Sequence, residues 1–575
     1  MRSGPGFLAR GVRAILLGLT WIAVASCRDS HAQPSGGDYS RADSSVRAAM
    51  ADPTQWPSYG RDYSNQRYSR LDQINAANVG QLELAWKYEN GIHSGYETSP
   101  IVVSGTMYIT TPLNHVVALD ATTGAKRWEY VHQYRTTADC CGPINRGVAV
   151  YDGRVYMGTV DARLVALDAK TGAVDWEVVV GDNEKGFHIT GAPIAIAGKV
   201  ITGISCGEQG GRCYVSAYDA ASGELVWRFY TIPSPSEGGW WGSWAKTDAF
   251  GTPLPRDIEA EKRDSAKYLD TWQQGGAPMW MTAAADPSTG TLYMALGNPG
   301  PDVDGRERPG DNLYSDCLVA LDLQTGKLKW YFQEVPHDLW DYDPASPVVL
   351  LDVRDGTGRT VAAVAQAGKT GWVYVVDRET GKPIRRSDAF APQERMFTLP
   401  TEEGVLIAPS TLGGSDWSPT AFDPTLGFLF VDGNFFPQLY RRNHEDFDPP
   451  AQYWGGVVTA PPSGQYGLYS AIDVNTGRIA WQVHLAKPTI SGSVATAGGV
   501  VFTGLSDSAF VAFDSRKGTE LWRYHADAGV NAPPISYAIN GRQYIAVAAG
   551  GNLPLNSGRG DDLLVFALPV GSGGH

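Results

Sequence analysis

The sequence predicts an all-β fold, an eight-bladed β-propeller of four-stranded antiparallel blades closed by strands from both ends of the chain. Three observations predict it. A hairpin signature recurs, in which an apolar run ends in Asp, Gly follows four residues later, and Trp four residues after that. It is complete at Asp120, Gly124 and Trp128; Asp168, Gly172 and Trp176; Asp219, Gly223 and Trp227; Asp322, Gly326 and Trp330; Asp473, Gly477 and Trp481; and Asp514, Gly518 and Trp522. The composition suits short strands and tight turns, with 67 glycines, 18 tryptophans and 27 tyrosines against 19% charged residues. Two half copies lie at the ends: residues 82–88, with Trp86, match the second half of the repeat, and 563–568 match the first.

Each element follows in chain order. Residues 1–33 read as an export signal: Arg2, Arg10 and Arg13 precede an apolar run at 14–25 that is too short to span a bilayer comfortably. Two cleavage readings stand, a lipoprotein box before Cys27 and an ordinary signal-peptidase site near Ala32. Membrane contact then comes only through a lipid on Cys27. Residues 34–54 read as a flexible linker, 55–568 as the propeller and 569–575 as a flexible tail. Within the propeller, Asp and Gly accept the turn geometry and the outgoing strand carries a large apolar anchor. One such hairpin is marginal alone, so copies must stack around a ring to bury their faces. Asp120, Asp168 and Asp219 lie 48 and 51 residues apart, a span that fits one blade. A seventh copy, Asp377 and Gly381, has Arg385 at the tryptophan position. Two long intervals without the signature point to insertions at 232–275, and at 388–415 together with 434–464. Loops of that length on a rigid ring line or cover a site.

The net charge of −14, with no basic stripe, excludes nucleic acid as a partner, because phosphate backbones need a clustered positive surface. An exported chain meets an oxidising compartment, so the close pairs Cys140 with Cys141 and Cys206 with Cys213 are candidate disulfides, and Cys317 in an apolar run reads as a buried free thiol. Adjacent cysteines make a poor staple. Their Cα atoms sit roughly 3.8 Å apart, below the usual disulfide range, which leaves either a strained functional bridge or two unlinked thiols.

The chain resembles the quinoprotein alcohol dehydrogenases, the methanol and ethanol dehydrogenase family, over residues of about 55 to 568. The resemblance is carried by Tyr96–Glu97–Thr98–Ser99–Pro100; by Cys140–Cys141–Gly142–Pro143–Ile144–Asn145–Arg146; by Gly158–Thr159–Val160–Asp161; by Ser205–Cys206–Gly207–Glu208; by Gly275 to Trp280; by Ala295–Leu296–Gly297–Asn298; by His337 to Asp343; and by Gln366–Ala367–Gly368–Lys369. It implies a pyrroloquinoline quinone (PQQ) covered by a Cys140–Cys141 disulfide and floored by Trp280. Glu97, Arg146, Thr159, Ser205, Cys206, Gly207, Lys369, Asp416 and Trp417 would surround the cofactor. Two departures stand out: Pro278 replaces a hydrogen-bonding threonine, and Asp416 replaces an asparagine.

The same resemblance implies a metal held by Glu208, Asn298 and Asp341, a hard-oxygen set suited to Ca²⁺. Cys206 and Cys213 flank Glu208 where glycines are usual; a bridge there would rigidify the ligand or serve structure alone. Asp341 is implied as the general base that accepts the alcohol proton. Asp343 accompanies lanthanide use in the family, although Asp343–Pro344 also reads as an ordinary turn opening. The expected activity is therefore oxidation of a small alcohol, or a related polyol, sugar or aldehyde, in the periplasm. No Cys-x-x-Cys-His segment occurs, so electrons are expected to pass to a separate cytochrome c or quinone. The rival reading is a non-catalytic propeller scaffold of the outer-membrane lipoprotein type, which shares the repeat but lacks this residue constellation.

Overall fold

The computed structural model describes residues 1, 40–135 and 142–569. The export signal and the Cys140–Cys141 pair lie outside the described residues. Antiparallel sheets follow one another along the chain, built from consecutive strands at 101–130, 149–179, 194–230, 284–333 and 349–386; a four-stranded sheet at 421–485 is interrupted by Gln438–Arg442 and Gly456–Thr459, and another at 493–525 gains Tyr68–Ser69 as a parallel fifth strand. A further sheet joins Ile535–Ile539, Arg542–Ala549 and Gly560–Ala567 to Glu83–Ser94, so that Trp86 stands opposite Val565. This all-β arrangement of stacked four-stranded sheets is a propeller fold.

Burial along a sheet explains the sequence pattern. Inner strands such as Thr106–Thr110 are buried at every position, whereas the outermost strand Val174–Val179 alternates with solvent. A strand with neighbouring sheets on both faces must be apolar throughout, and one at the rim need be so on one face only.

The recurring Asp, Gly and Trp join one sheet to the next. Asp120 Oδ1 accepts the backbone N–H groups of Thr122 and Thr123 and the Thr123 hydroxyl, all at 3.0–3.1 Å. Gly124 then adopts a positive φ of 74°. A Cβ there would come within 2.5 Å of the Trp86 ring of the preceding sheet, so glycine is required by both backbone and packing. The same contact recurs between Gly172 and Trp128, Gly223 and Trp176, Gly326 and Trp227, Gly381 and Trp330, and Gly518 and Trp481. Except for Trp86, these tryptophans also donate their indole N–H onward around the sheets: Trp128 to Ala169 O at 3.1 Å, Trp176 to Ala220 O at 3.2 Å and Trp522 to Leu82 O at 3.3 Å. Arg385, in the tryptophan's place, donates to Asn475 O instead.

The insertions at 388–415 and 434–464 pair with each other. Strands Val405–Ile407, Gln438–Arg442 and Gly456–Thr459 form a separate three-stranded sheet. The insertion at 232–275 carries a short helix, Ile258–Asp264, capped by the Asp257 side chain on Ala260 N at 3.0 Å.

Within the stretch expected as a linker, 34–54, residues Ser40–Ala51 form helix α1. Asp43 on this helix accepts hydrogen bonds from Tyr151 Oη at 2.6 Å and Ala197 N at 3.1 Å, which fixes it against two sheets. The segment that follows, 54–68, touches the first strand of one sheet after another. It bonds to Val102 through Trp56, Ala195 and Ala285 through Tyr63, Leu350 through Ser64, Phe422 through Gln66, Ala495 through Arg67 and Ala538 through Thr54. No periodicity announces this segment, because its bonds reach partners up to several hundred residues away.

Candidate active site

One cavity of about 260 Å³ gathers residues from most of the sheets. Among the residues expected from sequence, it is lined by Glu97, Arg146, Ser205, Glu208, Trp280, Asp341, Asp343, Lys369, Asp416 and Trp417. Three expected residues stand back from it. Thr159 spends its hydroxyl on Arg163 N at 2.9 Å, closing its own turn. Cys206 is bound to Cys213 in a disulfide, and Gly207 carries no side chain to present. Asn298 lies directly behind: its Nδ2 donates to Asp302 Oδ1 at 2.9 Å, and a Cβ on Gly207 would meet its Oδ1 at 3.1 Å.

The loop that carries Asp341 is built by Asp338. Its carboxylate accepts Trp340 N at 3.0 Å and Tyr342 N at 2.9 Å, and this leaves Asp341 in the left-handed region with φ 59°. Aspartate and asparagine tolerate that conformation better than other side chains. Lys369 Nζ lies 2.9 Å from both Asp341 oxygens and 2.6 Å from Asp343 Oδ1. Asp343 Oδ2 accepts the Trp280 indole N–H at 2.9 Å, so Asp343 faces inward.

Burial pushes the Asp341 carboxyl well above the ordinary range; Lys369 opposes this, while Asp343, Asp302 and Glu208 add like-charge repulsion. Burial alone would weaken the Lys369 ammonium, but Asp341, Asp343 and Asp416 outweigh it and hold its pKa well above the usual value. Asp341, Asp343 and Asp416 thus surround the Lys369 ammonium, and among the described residues no group of three or more His, Cys, Asp or Glu side chains is placed to hold a metal ion as it stands. Glycine lets the backbone approach Asp343 closely: a Cβ on Gly297 would lie 3.0 Å from Asp343 Oδ2.

On the other side, Arg146 pairs with Glu97 at 3.0 Å, and its guanidinium carbon lies 4.6 Å from the Trp417 ring and 5.2 Å from Trp280. Its Nε and Nη1 are buried without a hydrogen-bond partner among the described residues. Unmet donors beside aromatic faces suit a flat polyanion such as PQQ.

The model of the PQQ glucose/ethanol/alcohol dehydrogenase β-propeller domain matches residues 56–388 and 442–545. The chain belongs to the PQQ-dependent alcohol dehydrogenase family. Quinoprotein alcohol dehydrogenase PedE of Pseudomonas putida is 33% identical over 100% of this chain and 97% of its own. Quinohemoprotein alcohol dehydrogenase of Comamonas testosteroni is 35% identical over 88% of this chain and 74% of its own. A solved europium-containing methanol dehydrogenase superposes with a TM-score of 0.81 at 30% identity, covering 91% of this chain and 100% of that one. The protein is therefore an enzyme of this family, and the scaffold reading falls away.

Sequence reasoning missed several members of the site. Asn552 donates to Glu97 Oε1 at 2.8 Å; its only signal was the turn Gly550–Gly551–Asn552. Asp302 orients Asn298, and the run Asn298–Pro299–Gly300–Pro301–Asp302 held it in view. Thr411 and Leu412 come from one insertion and Gln452 and Trp454 from another, as long loops on a ring lead one to expect, whereas no residue of 232–275 lines the cavity.

Proposed function

We propose that the protein is an exported periplasmic dehydrogenase, an eight-bladed ring that oxidises a small alcohol, or a related polyol, sugar or aldehyde, to its carbonyl product. The observation that carries this is the convergence of Glu208, Asp341, Asp343 and Lys369 on one wall of a cavity whose other walls are Trp280 and the Glu97–Arg146 pair. The eight-bladed reading is supported by the tryptophan contacts that pass from sheet to sheet until Trp522 donates to Leu82, at the start of the strand paired with 560–567. Export is supported by the basic and apolar pattern of residues 1–33, with a lipid on Cys27 as one of its two outcomes. Electrons pass to a separate cytochrome c or quinone.

Glu208, Asn298, Asp341 and Asp343 would hold the metal, Ca²⁺ or a lanthanide, and Arg146, Glu97, Trp280 and Lys369 would hold the cofactor. When bound, PQQ supplies the two-electron oxidant and the ion supplies Lewis acidity. Asp341 accepts the proton of the substrate hydroxyl. Lys369 fixes the Asp341 carboxylate in both oxygens and keeps positive charge beside it. Gln452, Trp454 and Leu412 complete the apolar and polar lining that a substrate meets.

Activity with an artificial electron acceptor should require both PQQ and a metal, and turnover with NAD in a PQQ-free preparation would overturn the assignment. The inward Asp343 adds a carboxylate from which a trivalent ion gains more than a divalent one. Protein reconstituted with lanthanum should therefore outperform protein with calcium, and Asp343→Ala should erase that preference. Equal preference in both proteins would leave Asp343 without a role in metal choice.

A further inference from the structure

The loop that presents Glu208 is closed on itself. Cys206 and Cys213 are both fully buried and bridged, with Cα atoms 5.9 Å apart and a sequence separation of 7. Between them stand Gly207, Gly210 and Gly211, and packing demands each. A Cβ would lie 3.1 Å from Asn298 Oδ1 at Gly207, 2.8 Å from the Tyr453 ring at Gly210 and 2.2 Å from the Phe187 ring at Gly211. Gly210 also has φ 62°.

A backbone so rich in glycine is the most permissive kind there is, and ordering it is costly. A carboxylate carried on such a loop would sample many positions before an ion arrived. Several contacts oppose that freedom. Gly211 N donates to Cys206 O at 3.1 Å, Gly210 N to Gly207 O at 2.9 Å and Gly276 N to Gly211 O at 2.8 Å. The Glu208 carbonyl accepts Tyr453 N from the 434–464 insertion, whose Gln452 and Trp454 line the cavity. The loop ends are already brought together by the antiparallel pairing of Gly203 with Val215 and by the Ile204 N to Tyr214 O bond at 3.1 Å, and the bridge adds a covalent tie directly beneath Glu208.

We propose that the Cys206–Cys213 bridge is a positioning element for the metal: it orders the Glu208 loop in advance, so that ion binding does not bear the cost of ordering it. The proposal rests on Glu208 being a metal ligand, as the function proposed above has it.

The test uses PQQ-reconstituted protein stripped of metal by a chelator and titrated with Eu³⁺, read by europium emission and its lifetime. Cys206→Ser with Cys213→Ser should raise the apparent Kd about tenfold or more, the scale of a short closed loop, and should shorten the lifetime as water replaces Glu208. Cys206→Ala with Cys213→Val, which keeps the apolar volume, should behave alike and serves if the first pair does not fold. Glu208→Ala should weaken Eu³⁺ binding strongly in the bridged protein and by a smaller factor in the unbridged one, because the bridge acts on the ion through Glu208 and the two effects are not independent. An unbridged protein with a lower melting temperature but an unchanged Kd and lifetime would overturn the proposal. An unchanged Kd for Glu208→Ala in the bridged protein would instead remove Glu208 from the ligand set, and the metal reading with it.

Discussion

Replacement of Asp341 by Asn is expected to lower turnover by about a hundredfold or more, the scale attributed to a positioned general base. Asparagine suits the test because it also tolerates the left-handed backbone, φ 59°, that Asp341 adopts. The Asp338 bonds to Trp340 N and Tyr342 N are untouched, so the loop keeps its shape. What changes is charge: the Lys369 ammonium loses one of its two carboxylates and keeps Asp343 at 2.6 Å. The visible spectrum of the PQQ-loaded variant should therefore remain close to that of the wild type while kcat collapses. Turnover near the wild-type value, with PQQ and metal saturating, would show that another group takes the proton.

The sequence pattern made the sheets legible because the repeat is local: Asp, Gly and Trp fall within nine residues and carry both the turn and the contact to the neighbouring sheet. Site residues such as Glu97, Arg146, Trp280 and Lys369 were legible only by resemblance, since a single buried lysine or glutamate has no periodic signature. Thr159 shows the limit of that route: its hydroxyl closes its own turn on Arg163 rather than reaching the cavity. Asn552 and Asp302 escaped because they act through other side chains, Glu97 and Asn298. Segment 54–68 escaped for a related reason. Its partners lie in sheets far along the chain, and no spacing within 15 residues could announce them.

That segment sets the second large effect, at Arg67. The side chain is fully buried, and among the described residues no carboxylate pairs with it. Its guanidinium is held instead by carbonyls, with Nε donating to Ser493 O at 2.9 Å, Nη2 to Pro534 O at 2.7 Å and Nη1 to Tyr59 O. It also lies 5.4 Å from the ring centres of both Trp56 and Tyr59. Burial lowers its pKa to about 10, with the nearby Tyr59 opposing the shift, so the group is still charged at neutral pH and its charge depends on these acceptors. Removing it leaves three buried carbonyls unmet and unties the N-terminal segment from sheets hundreds of residues away. Arg67→Met is expected to cost about 3 kcal/mol or more, lowering the melting temperature by about 3 °C or more at a fixed scan rate. Arg67→Lys keeps the charge but not the planar fork, so it should fall between the two. Tyr59 packs with Trp417 and Met281 beside the cavity, so the Met variant should also bind PQQ more weakly. A melting temperature within about 1 °C of the wild type would show that the segment is held by its backbone bonds alone, with Arg67 contributing nothing that its neighbours do not replace.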